Sequence, residues 1–441
     1  MSIKRILIAN RGEIALRAIR TIKEMGKEAI AIYSKADENA LYLDYADAAI
    51  CIGKEKPNES YLNIPSIVAA ADIANCDAIF PGYGFLSENQ DFVEICKHHG
   101  FIFIGPSVET MALMSDKSKA KEVMKKAGVP VIPGSEGAIK DIEDAKKTAK
   151  EIGYPVILKA AAGGGGRGMR VVSKESEMEN AFFAAESEAL SAFGDGTIYM
   201  EKFIQKPRHV EVQILADKYG NVVHVGERDC SLQRRHQKLI EESPATILDE
   251  KTREKLLQTA VKAAKAINYE NAGTFEFLVD KDRNFYFMEM NTRLQVEHPV
   301  SEMVGNIDIV EWMIKIAEGK ELLKQEEIEL KGHAIECRIT AEDPVKFIPN
   351  PGKITKWITP GGRNVRIDSH VYQDYVVPPY YDSLIAKLIV WGENRDRAIS
   401  KMYEALREFK VEGIKTVIDF HKEMLKNPDF LMNNYDTNYL S

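Results

Sequence analysis

The first hundred residues alternate short apolar runs with stretches of helical periodicity, and this alternation limits the possible folds more than any other feature. The apolar runs cover residues 6–9, 29–33, 78–80 and 101–104. Between the first two runs, apolar side chains recur at the spacing of one helix face and stop at Gly26. Short strands separated by helices predict a parallel sheet with crossover helices. The first strand-to-helix turn, residues 10–13 (NRGE), lacks the glycines of a dinucleotide-binding turn, so we do not expect NAD there.

Length, charge and cysteine content set broad limits. A chain of 441 residues is long enough for about three domains. Its 67 acidic and 59 basic residues give a net charge of −8, which disfavours nucleic acid as a partner. No apolar run is long enough to cross a membrane and the first residues are unlike a signal peptide, so we expect a cytoplasmic protein. The five cysteines are scattered without a CxxC pair, which favours neither disulfides nor a zinc site.

The remaining chain divides by its periodicity. Residues 108–128 form a predicted helical connector, and a smaller α/β part follows to about residue 204. An antiparallel region then runs to about residue 300, interrupted by a predicted helix at 249–267 whose apolar side chains share one face. From about residue 331, short strands with Pro-Gly turns precede a helix near 396–409. The expected fold class is α/β together with α+β.

A glycine-rich segment, residues 160–168 (AAAGGGGRG), is the most conspicuous local motif. Predicted strands flank it at 155–159 and 169–172, so it indicates a hairpin flap and not the strand–turn–helix of a dinucleotide site. Such a flap folds backbone N–H groups over a polyphosphate, with Lys117 and Lys159 as candidate cations. The sequence contains neither a P-loop motif nor the signatures of a kinase. A simple flexible loop is the alternative.

A second motif is a predicted hairpin with acidic residues in both strands. The strands cover residues 274–278 and 285–291, with turn-forming residues between them. A turn centred midway between the strands places Glu276 opposite Glu289 on one face, with Asn291 on the same side. Because opposed carboxylates repel, we expect a cation between them, and this ligand set suits Mg²⁺ held with a nucleotide. The alternative is a solvated acidic face.

Polar side chains also crowd the segment directly after this hairpin, residues 291–299 (NTRLQVEHP). Arg293 offers a planar fork that matches a carboxylate or bicarbonate. Gln295 both donates and accepts hydrogen bonds, and Glu297 is a candidate proton acceptor. A polar cluster beside a metal hairpin favours a binding role over a surface loop.

A third group is basic. In the predicted strand 208–213, alternation places His209, Glu211 and Gln213 on one face. Four further side chains follow within a short span of an acidic protein: Arg234, Arg235, His236 and Lys238. Their proximity predicts an anion site. With the flap and the hairpin, these residues complete a site for a nucleoside triphosphate and a small anion.

Six segments, in order along the whole chain, resemble those of biotin carboxylases, which are ATP-grasp enzymes. They are residues 6–15 (ILIANRGEIA), 81–89 (PGYGFLSEN), 163–168 (GGGGRG), 235–238 (RHQK), 289–299 (EMNTRLQVEHP) and 333–338 (HAIECR). The resemblance implies an ATP-grasp fold with an N-terminal Rossmann-like domain and a C-terminal antiparallel-sheet domain. The implied boundaries are residues 1–112, 113–330 with a flap subdomain at about 130–204, and 331–441.

The resemblance also implies an activity and its residues. The activity is ATP- and bicarbonate-dependent carboxylation of biotin on a carrier protein through carboxyphosphate, within acetyl-CoA carboxylase for fatty acid synthesis. The residues expected to contact ATP are Lys117, Lys159, Gly165, Gly166, Glu201, Lys202, Phe203, Ile204, His209, His236, Glu276 and Glu289. Those expected to bind Mg²⁺ or Mn²⁺ are Glu276, Glu289 and Asn291. Those expected to hold bicarbonate are Lys238, Arg293, Gln295 and Val296, with Glu297 as general base. Arg338 would stabilise the biotin enolate, with Tyr83 and Gly84 near biotin.

The implied partners are a biotin carboxyl carrier protein and carboxyltransferase subunits, and the implied state is a homodimer that binds neither nucleic acid nor membrane. The sequence has no Met-Lys-Met biotin-attachment motif, so we expect a stand-alone subunit. A pyruvate or other acyl-CoA carboxylase is the alternative parent enzyme. Another ATP-grasp ligase, such as a carboxylase of a purine precursor, would share the flap and the paired glutamates without requiring Arg293 or Arg338. A nucleotide sensor or a nicotinamide oxidoreductase fits the motifs less well.

Overall fold

The computed structural model describes residues 2–160, 169–193 and 195–440. The chain forms two compact units. The first comprises Met1–Val129, Arg208–Phe277 and Glu289–Ser441, and the second comprises Pro130–Pro207 and Leu278–Met288. None of the described helices combines the length and the apolar character that crossing a membrane requires.

The first unit begins with a parallel five-stranded sheet of order β3-β2-β1-β4-β5. Its elements are β1 (Arg5–Ile8), α1 (Gly12–Glu24), β2 (Glu28–Ser34), α2 (Tyr42–Tyr45), β3 (Ala48–Gly53), α3 (Ile64–Ile73), β4 (Ala78–Phe80), α4 (Gln90–His98), β5 (Ile102–Phe103), α5 (Val108–Ser115) and α6 (Lys117–Lys126). In the centre of the sheet, Ile6 pairs with Ala29 on β2 and with Ala78 on β4. The parallel sheet predicted from the alternating pattern is confirmed.

The first strand-to-helix turn holds a neighbouring loop in place. Asn10, which follows β1, donates from Nδ2 to the carbonyls of Pro81 (2.8 Å) and Tyr83 (2.7 Å). Both carbonyls lie beyond the end of β4, and carboxyl ends of parallel strands meet at one edge of a sheet. The turn thereby fixes the segment that carries Tyr83.

The second unit is built on a three-stranded antiparallel sheet of order β7-β6-β8. Its elements are α7 (Ile142–Ile152), β6 (Val156–Ala160), β7 (Met169–Val172), α8 (Met178–Phe193) and β8 (Ile198–Lys202). Apolar side chains such as Val156, Leu158 and Val172 form its core with the two helices. The strands predicted on either side of the glycine-rich segment are present, while residues 163–168, with Gly165 and Gly166, lie outside the described residues.

The largest sheet has eight strands in the order β13-β12-β9-β10-β11-β14-β19-β17. The elements of this part of the chain are β9 (Arg208–Ala216), β10 (Val222–Arg234), β11 (Gln237–Ser243), α9 (Glu250–Ala266), β12 (Asn271–Val279), β13 (Phe285–Asn291), α10 (His298–Gly305), α11 (Ile309–Ala317), β14 (His333–Thr340), β15 (Gly352–Lys353), β16 (Lys356–Ile358), β17 (Val365–Ser369), β18 (Val376–Val377), β19 (Leu384–Gly392), α12 (Arg395–Glu408), β20 (Lys410–Glu412), α13 (Ile418–Met424) and α14 (Pro428–Leu431). The strands β15 and β18, and β16 and β20, form two small antiparallel sheets.

The join between β11 and β14 decides where the polar residues of the large sheet meet. These strands are antiparallel, and Ile240 pairs with Cys337 and Glu241 with Glu336. The next neighbour, β19, pairs Arg338 with Lys387. Because directly paired residues point to the same face, charged side chains far apart in the sequence lie side by side in the sheet.

Candidate active site

Lys238, near the start of β11, is the centre of a buried cluster of charges. Its ammonium lies 2.7 Å from Glu211, 3.1 Å from Glu276 and 2.6 Å from Glu297. Burial alone would lower the pKa of Lys238, but the three carboxylates outweigh it and raise the pKa well above its ordinary value. Lys238 is therefore a permanent cation held by the groups that share its site.

Both carboxylate oxygens of Glu276, on β12, have polar side chains close to them. Its Oε1 accepts from Nδ2 of Asn291 (2.7 Å) and Nε2 of Gln295 (3.2 Å), and its Oε2 lies 3.0 Å from Nε2 of His209. Burial would raise the pKa of Glu276, but Lys238 and His209 lower it well below its ordinary value. In turn, Glu276 raises the pKa of His209 despite burial, which favours the imidazolium. The carboxylate of Glu276 is ionised, with hydrogen bonds to its Oε1 and the imidazole of His209 close to its Oε2.

Glu289 and Asn291, on β13, have different surroundings. Glu289 is 38% exposed and lies 3.3 Å from Lys117, whose side chain is 84% exposed. The Oδ1 of Asn291 accepts from Arg293 (3.1 Å). Two carboxylates and an amide oxygen are hard donors of the kind that Mg²⁺ takes, so Glu276, Glu289 and Asn291 fit this ion.

The segment between β13 and α10 is fixed by hydrogen bonds to a residue of the loop between β4 and α4. Glu88 accepts from Nε of Arg293 (2.8 Å) and from the backbone N–H of Thr292 (2.9 Å). A second guanidinium nitrogen of Arg293 donates to Oε1 of Gln295 (3.1 Å). Glu88 was not singled out from the sequence, although it lies inside the motif at residues 81–89.

Glu297 is buried between two cations. Its Oε1 accepts from Lys238 (2.6 Å) and its Oε2 from a guanidinium nitrogen of Arg338 (3.0 Å). Burial would raise the pKa of Glu297, but Lys238 and Arg338 lower it well below its ordinary value. The thiol of Cys230 lies 3.9 Å away, and burial raises its pKa well above the ordinary value, so it stays protonated.

Arg338 on β14 reaches a second carboxylate on the neighbouring strand. Its Nε donates to Glu241 on β11 (2.6 Å). Burial raises the pKa of Glu241 to about 7, with Arg338 opposing the increase and Glu297 adding to it. Glu241 was missed from the sequence because only the β11–β14 pairing brings it to Arg338.

Behind this cluster, Arg228 on β10 is a fully buried guanidinium. It donates to Glu211 (2.6 Å), Gln213 (2.7 Å) and Ser301 (3.0 Å). These contacts show that Glu211 and Gln213 share one face, as the alternation along this strand predicts. Arg228 was also missed, since a single arginine in an alternating strand carries no signal of its burial.

Tyr83 and Val296, both expected near the substrates, each make a polar contact within the first unit. The hydroxyl of Tyr83 donates to Glu13 at the start of α1. The carbonyl of Val296 accepts from Lys387 on β19 (2.8 Å). Gly84, next to Tyr83, is exposed.

The second unit carries the other residues expected to contact ATP. Lys159 on β6 pairs with Glu201 on β8 at 2.5 Å. Lys202 donates to the backbone carbonyls of Gly153 (2.8 Å) and Tyr154 (2.9 Å). The N–H of Phe203 donates to the carbonyl of Pro155, and Ile204 is buried.

The prediction that four basic side chains form one anion site stays a prediction, and the structure gives these side chains different surroundings. Lys238 points into the buried carboxylates, whereas Arg234 stacks on the ring of Phe347 at 4.6 Å. Arg235 and His236 are exposed and form the two-residue turn between β10 and β11. These different surroundings follow from the hairpin, because side chains alternate between faces on each side of its turn.

Comparisons with known proteins cover the whole chain. Three family models match: "Biotin carboxylase, N-terminal domain" over residues 2–111, "Carbamoyl-phosphate synthase L chain, ATP binding domain" over 116–325, and "Biotin carboxylase C-terminal domain" over 336–441. A biotin carboxylase from Nostoc sp. is 58% identical over 100% of this chain and 99% of the relative.

Solved structures agree with these matches. A biotin carboxylase–β,γ-ATP complex from Campylobacter jejuni has 72% identity and a TM-score of 0.92, covering 100% of this chain and 98% of the other. The biotin carboxylase domain dimer of Hydrogenobacter thermophilus 2-oxoglutarate carboxylase, in complex with MgADP, ADP and bicarbonate, has 49% identity and a TM-score of 0.89, covering 100% and 97%.

The fold and these matches define an ATP-dependent ligase with an ATP-grasp architecture. The chain belongs to the biotin carboxylase family and is the biotin carboxylase component of a biotin-dependent carboxylase. The resemblance, fold class and enzyme class inferred from the sequence are thus confirmed.

Proposed function

We propose that this chain carries out the first half-reaction of its parent carboxylase, in which ATP and bicarbonate give carboxyphosphate and ADP, and the carboxyl group then passes to biotin on a carrier protein. The observation that carries this proposal is Glu297, a buried carboxylate bonded to Lys238 at 2.6 Å and Arg338 at 3.0 Å. A proton acceptor between two cations suits an anionic substrate that must lose a proton.

ATP is the first substrate, and its contacts follow the family motifs. We assign it to the residues named above on the glycine-rich flap, β6, β8, β9, the β10–β11 turn, β12 and β13. Mg²⁺ held by Glu276, Glu289 and Asn291 would screen the phosphate charge while bicarbonate oxygen attacks phosphorus. Lys117 and Lys159 are exposed enough to leave their glutamate partners for phosphate oxygens, because surface ion pairs contribute little stability.

Bicarbonate binds, in this proposal, to Lys238, Arg293, Gln295 and the Val296 segment, and Glu297 removes its proton. With Lys238 and Arg338 bound to it, Glu297 is a weak base, because its pKa lies far below the ordinary value. An anion that attracts these cations would weaken their hold on Glu297 and raise its basicity. The same residues thus bind the substrate and switch on the base.

Biotin is placed at Arg338, with Tyr83 and Gly84 nearby. The guanidinium would face the ureido oxygen, where negative charge develops when the ureido nitrogen loses its proton. Glu241 holds Arg338 at 2.6 Å and orients it for this role.

The parent enzyme we propose is acetyl-CoA carboxylase of fatty acid synthesis, with a carrier protein and carboxyltransferase subunits as partners, a homodimeric state and a cytoplasmic location. The choice of acetyl-CoA carboxylase rests on the family resemblance, and the Nostoc relative, a biotin carboxylase matched over nearly its full length, supports the biotin carboxylase activity. A 2-oxoglutarate carboxylase component is also similar, so pyruvate, another acyl-CoA or an oxo acid is the alternative acceptor. Mn²⁺ as a substitute for Mg²⁺ and the boundaries at 112 and 330 belong to the same proposal.

The decisive experiment measures phosphate release from ATP with and without bicarbonate and free biotin. We expect bicarbonate to stimulate release, and biotin to stimulate it further. In Glu297→Gln, the stimulated rate should fall at least about 100-fold while ATP binding is retained, since a missing general base costs this much. The exposed Glu404→Gln is the matched control. Unchanged turnover in Glu297→Gln would remove Glu297 as the base, and release indifferent to bicarbonate would reject the function.

A further inference from the structure

Lys387, in the middle of β19, is a fully buried lysine that the reaction described above does not use. Its side chain is 0% exposed. It is paired with Arg338 on β14 and with Asp368 on β17, so its side chain shares the face that carries Arg338. Burying an ammonium beside another cation is costly unless polar partners compensate it.

The partners of Lys387 come from both ends of the proposed substrate site. The ammonium donates to the carbonyl of Val296 (2.8 Å), in the segment assigned to bicarbonate. It also lies 3.1 Å from Glu13, which accepts the hydroxyl of Tyr83, assigned to biotin. Lys387 therefore contacts one group assigned to bicarbonate binding and another that holds a tyrosine assigned to biotin binding.

The charge of Asp368 does not explain why a lysine is buried at position 387. Asp368 already receives two hydrogen bonds from Arg366, at 3.0 and 2.7 Å, whereas Lys387 lies 3.9 Å from it. For stability alone, an apolar side chain of similar volume in place of a buried ion pair is often as good or better. Lys387 also attracts the buried carboxylate of Glu336 and so limits the increase that burial causes in its pKa, but the direct contacts that remain are those to Val296 and Glu13.

We propose that Lys387 is a positioning residue, whose ammonium ties the Val296 carbonyl to the Glu13–Tyr83 pair and so holds the bicarbonate and biotin ends of the site in register. The proposal rests on the proposed function, because it gives Val296 and Tyr83 their roles. Holding two reacting groups in a fixed geometry accounts for a large part of enzymatic rate enhancement, and small displacements are costly.

The test compares Lys387→Met with Glu13→Gln. Lys387→Met removes both contacts, so we expect the KM for bicarbonate, measured in ATP cleavage, and the KM for biotin each to rise about tenfold, the typical effect of losing a charged hydrogen bond. Glu13→Gln keeps the bond to Val296, so only the KM for biotin should rise. The affinity for ATP should stay within about twofold in both variants, because neither contact faces the residues assigned to ATP.

A buried, unpaired Glu13 could prevent Lys387→Met from folding. The double variant Lys387→Met/Glu13→Gln removes that charge, and we expect it to melt at a higher temperature than Lys387→Met while both KM values stay raised. If neither Lys387 variant folds, Glu13→Gln decides: a raised KM for biotin alone supports the proposal, and unchanged values overturn it. A folded Lys387 variant with both KM values within twofold of wild type, or with ATP affinity lost to the same degree, also overturns it.

The control is Lys410→Met, which removes an exposed lysine on β20. Wild type and this control must both show bicarbonate- and biotin-stimulated phosphate release. Failure there would reject the proposed function itself, whereas normal controls with unaffected Lys387 variants would reject only the role of Lys387.

Discussion

At the scale of single residues, the carboxylates and cations of this site reduce the energetic cost of burying one another. Each carboxylate has a cation close by: Glu211 has Arg228 at 2.6 Å, Glu241 has Arg338 at 2.6 Å, and Glu297 has Lys238 at 2.6 Å. Isolated charges at these depths would shift their pKa values and become neutral. The neighbouring cations lower the pKa of Glu276 and Glu297 below the ordinary value, whereas burial still raises the pKa of Glu211 and Glu241.

Arg338 allows the two chemical steps to be separated. Arg338→Ala should reduce biotin carboxylation by at least about 100-fold, the scale observed when a donor to a developing oxyanion is removed. Bicarbonate-dependent ATP cleavage should fall less, because Lys238 still contacts Glu297 at 2.6 Å. Parallel assays of carboxybiotin and phosphate measure both effects. Equal losses in the two assays would contradict a role for Arg338 at the enolate.

Sequence reasoning identified residues whose neighbours in the chain carry the signal, and it missed those defined by distant contacts. Lys238 and Arg293 stand within polar motifs that are unusual for packing. Glu241 and Lys387 look like ordinary members of alternating strands, and only the pairing of β11, β14 and β19 gives them partners. Their importance is a property of the sheet order, which local periodicity does not encode.

At the scale of elements, the β10–β11 hairpin combines a strained turn with a proposed ligand contact. Arg234 pairs with Gln237, so Arg235 and His236 alone make the turn. Both have positive φ values, 49° and 66°. Two-residue turns of this kind favour Asn-Gly, because glycine and asparagine adopt positive φ more readily than other residues do. A conformation that disfavours its own residues is common at functional sites.

Replacing the residues of this turn should increase the free energy of unfolding and reduce the affinity for ATP. The double variant Arg235→Asn/His236→Gly should increase the free energy of unfolding by about 1 kcal/mol, measured by urea denaturation, since it relieves two strained residues. Its affinity for ATP should fall, because His236 is proposed to contact the phosphates. Arg235→Asn alone retains His236 and serves as the control for binding. A double variant that binds ATP like wild type would exclude His236 from the nucleotide site.

The bounds of individual helices and strands were predicted from the sequence more accurately than the order of the strands in the sheet. The helix predicted at 249–267 is α9, Glu250–Ala266, because Asp249 caps it by accepting from the N–H of Thr252 (2.8 Å). The strand at 285–291 begins and ends as expected. The order of the eight-stranded sheet could not be predicted, since β11 and β14 are separated by about 90 residues of chain and pair only through tertiary packing.

At the scale of the whole molecule, two groups of buried residues contribute to the response to acid in opposite directions. Burial lowers the pKa of His370 to about 3 and of His421 to about 4. Burial raises the pKa of Glu241 to about 7 and also raises that of Glu336. A histidine whose pKa is lower in the folded state stabilises the protein less as the pH falls below about 6.5, since the unfolded chain takes up the proton first. Raised glutamates have the reverse effect.

The comparison of His370→Gln with wild type isolates one member of this balance. The stability that wild type has relative to the variant should decrease by about 1.4 kcal/mol for each pH unit below about 6.5, because one proton is taken up on unfolding. Urea midpoints at pH 7.5, 6.5 and 5.5 provide the measurement. A difference that does not change over this range would mean that folding leaves the pKa of His370 at its ordinary value.

The two cations that grip Glu297 have a consequence for an enzyme waiting for its substrates. Water is far more abundant than bicarbonate, and a free base beside bound ATP would direct it at the terminal phosphate. Lys238 at 2.6 Å and Arg338 at 3.0 Å keep the pKa of Glu297 low, so it is a weak base. In the proposed mechanism its basicity rises only when an anion competes for these two cations. Within that mechanism, these two cations would suppress futile hydrolysis of ATP until bicarbonate binds, so a cell short of inorganic carbon would keep its nucleotide.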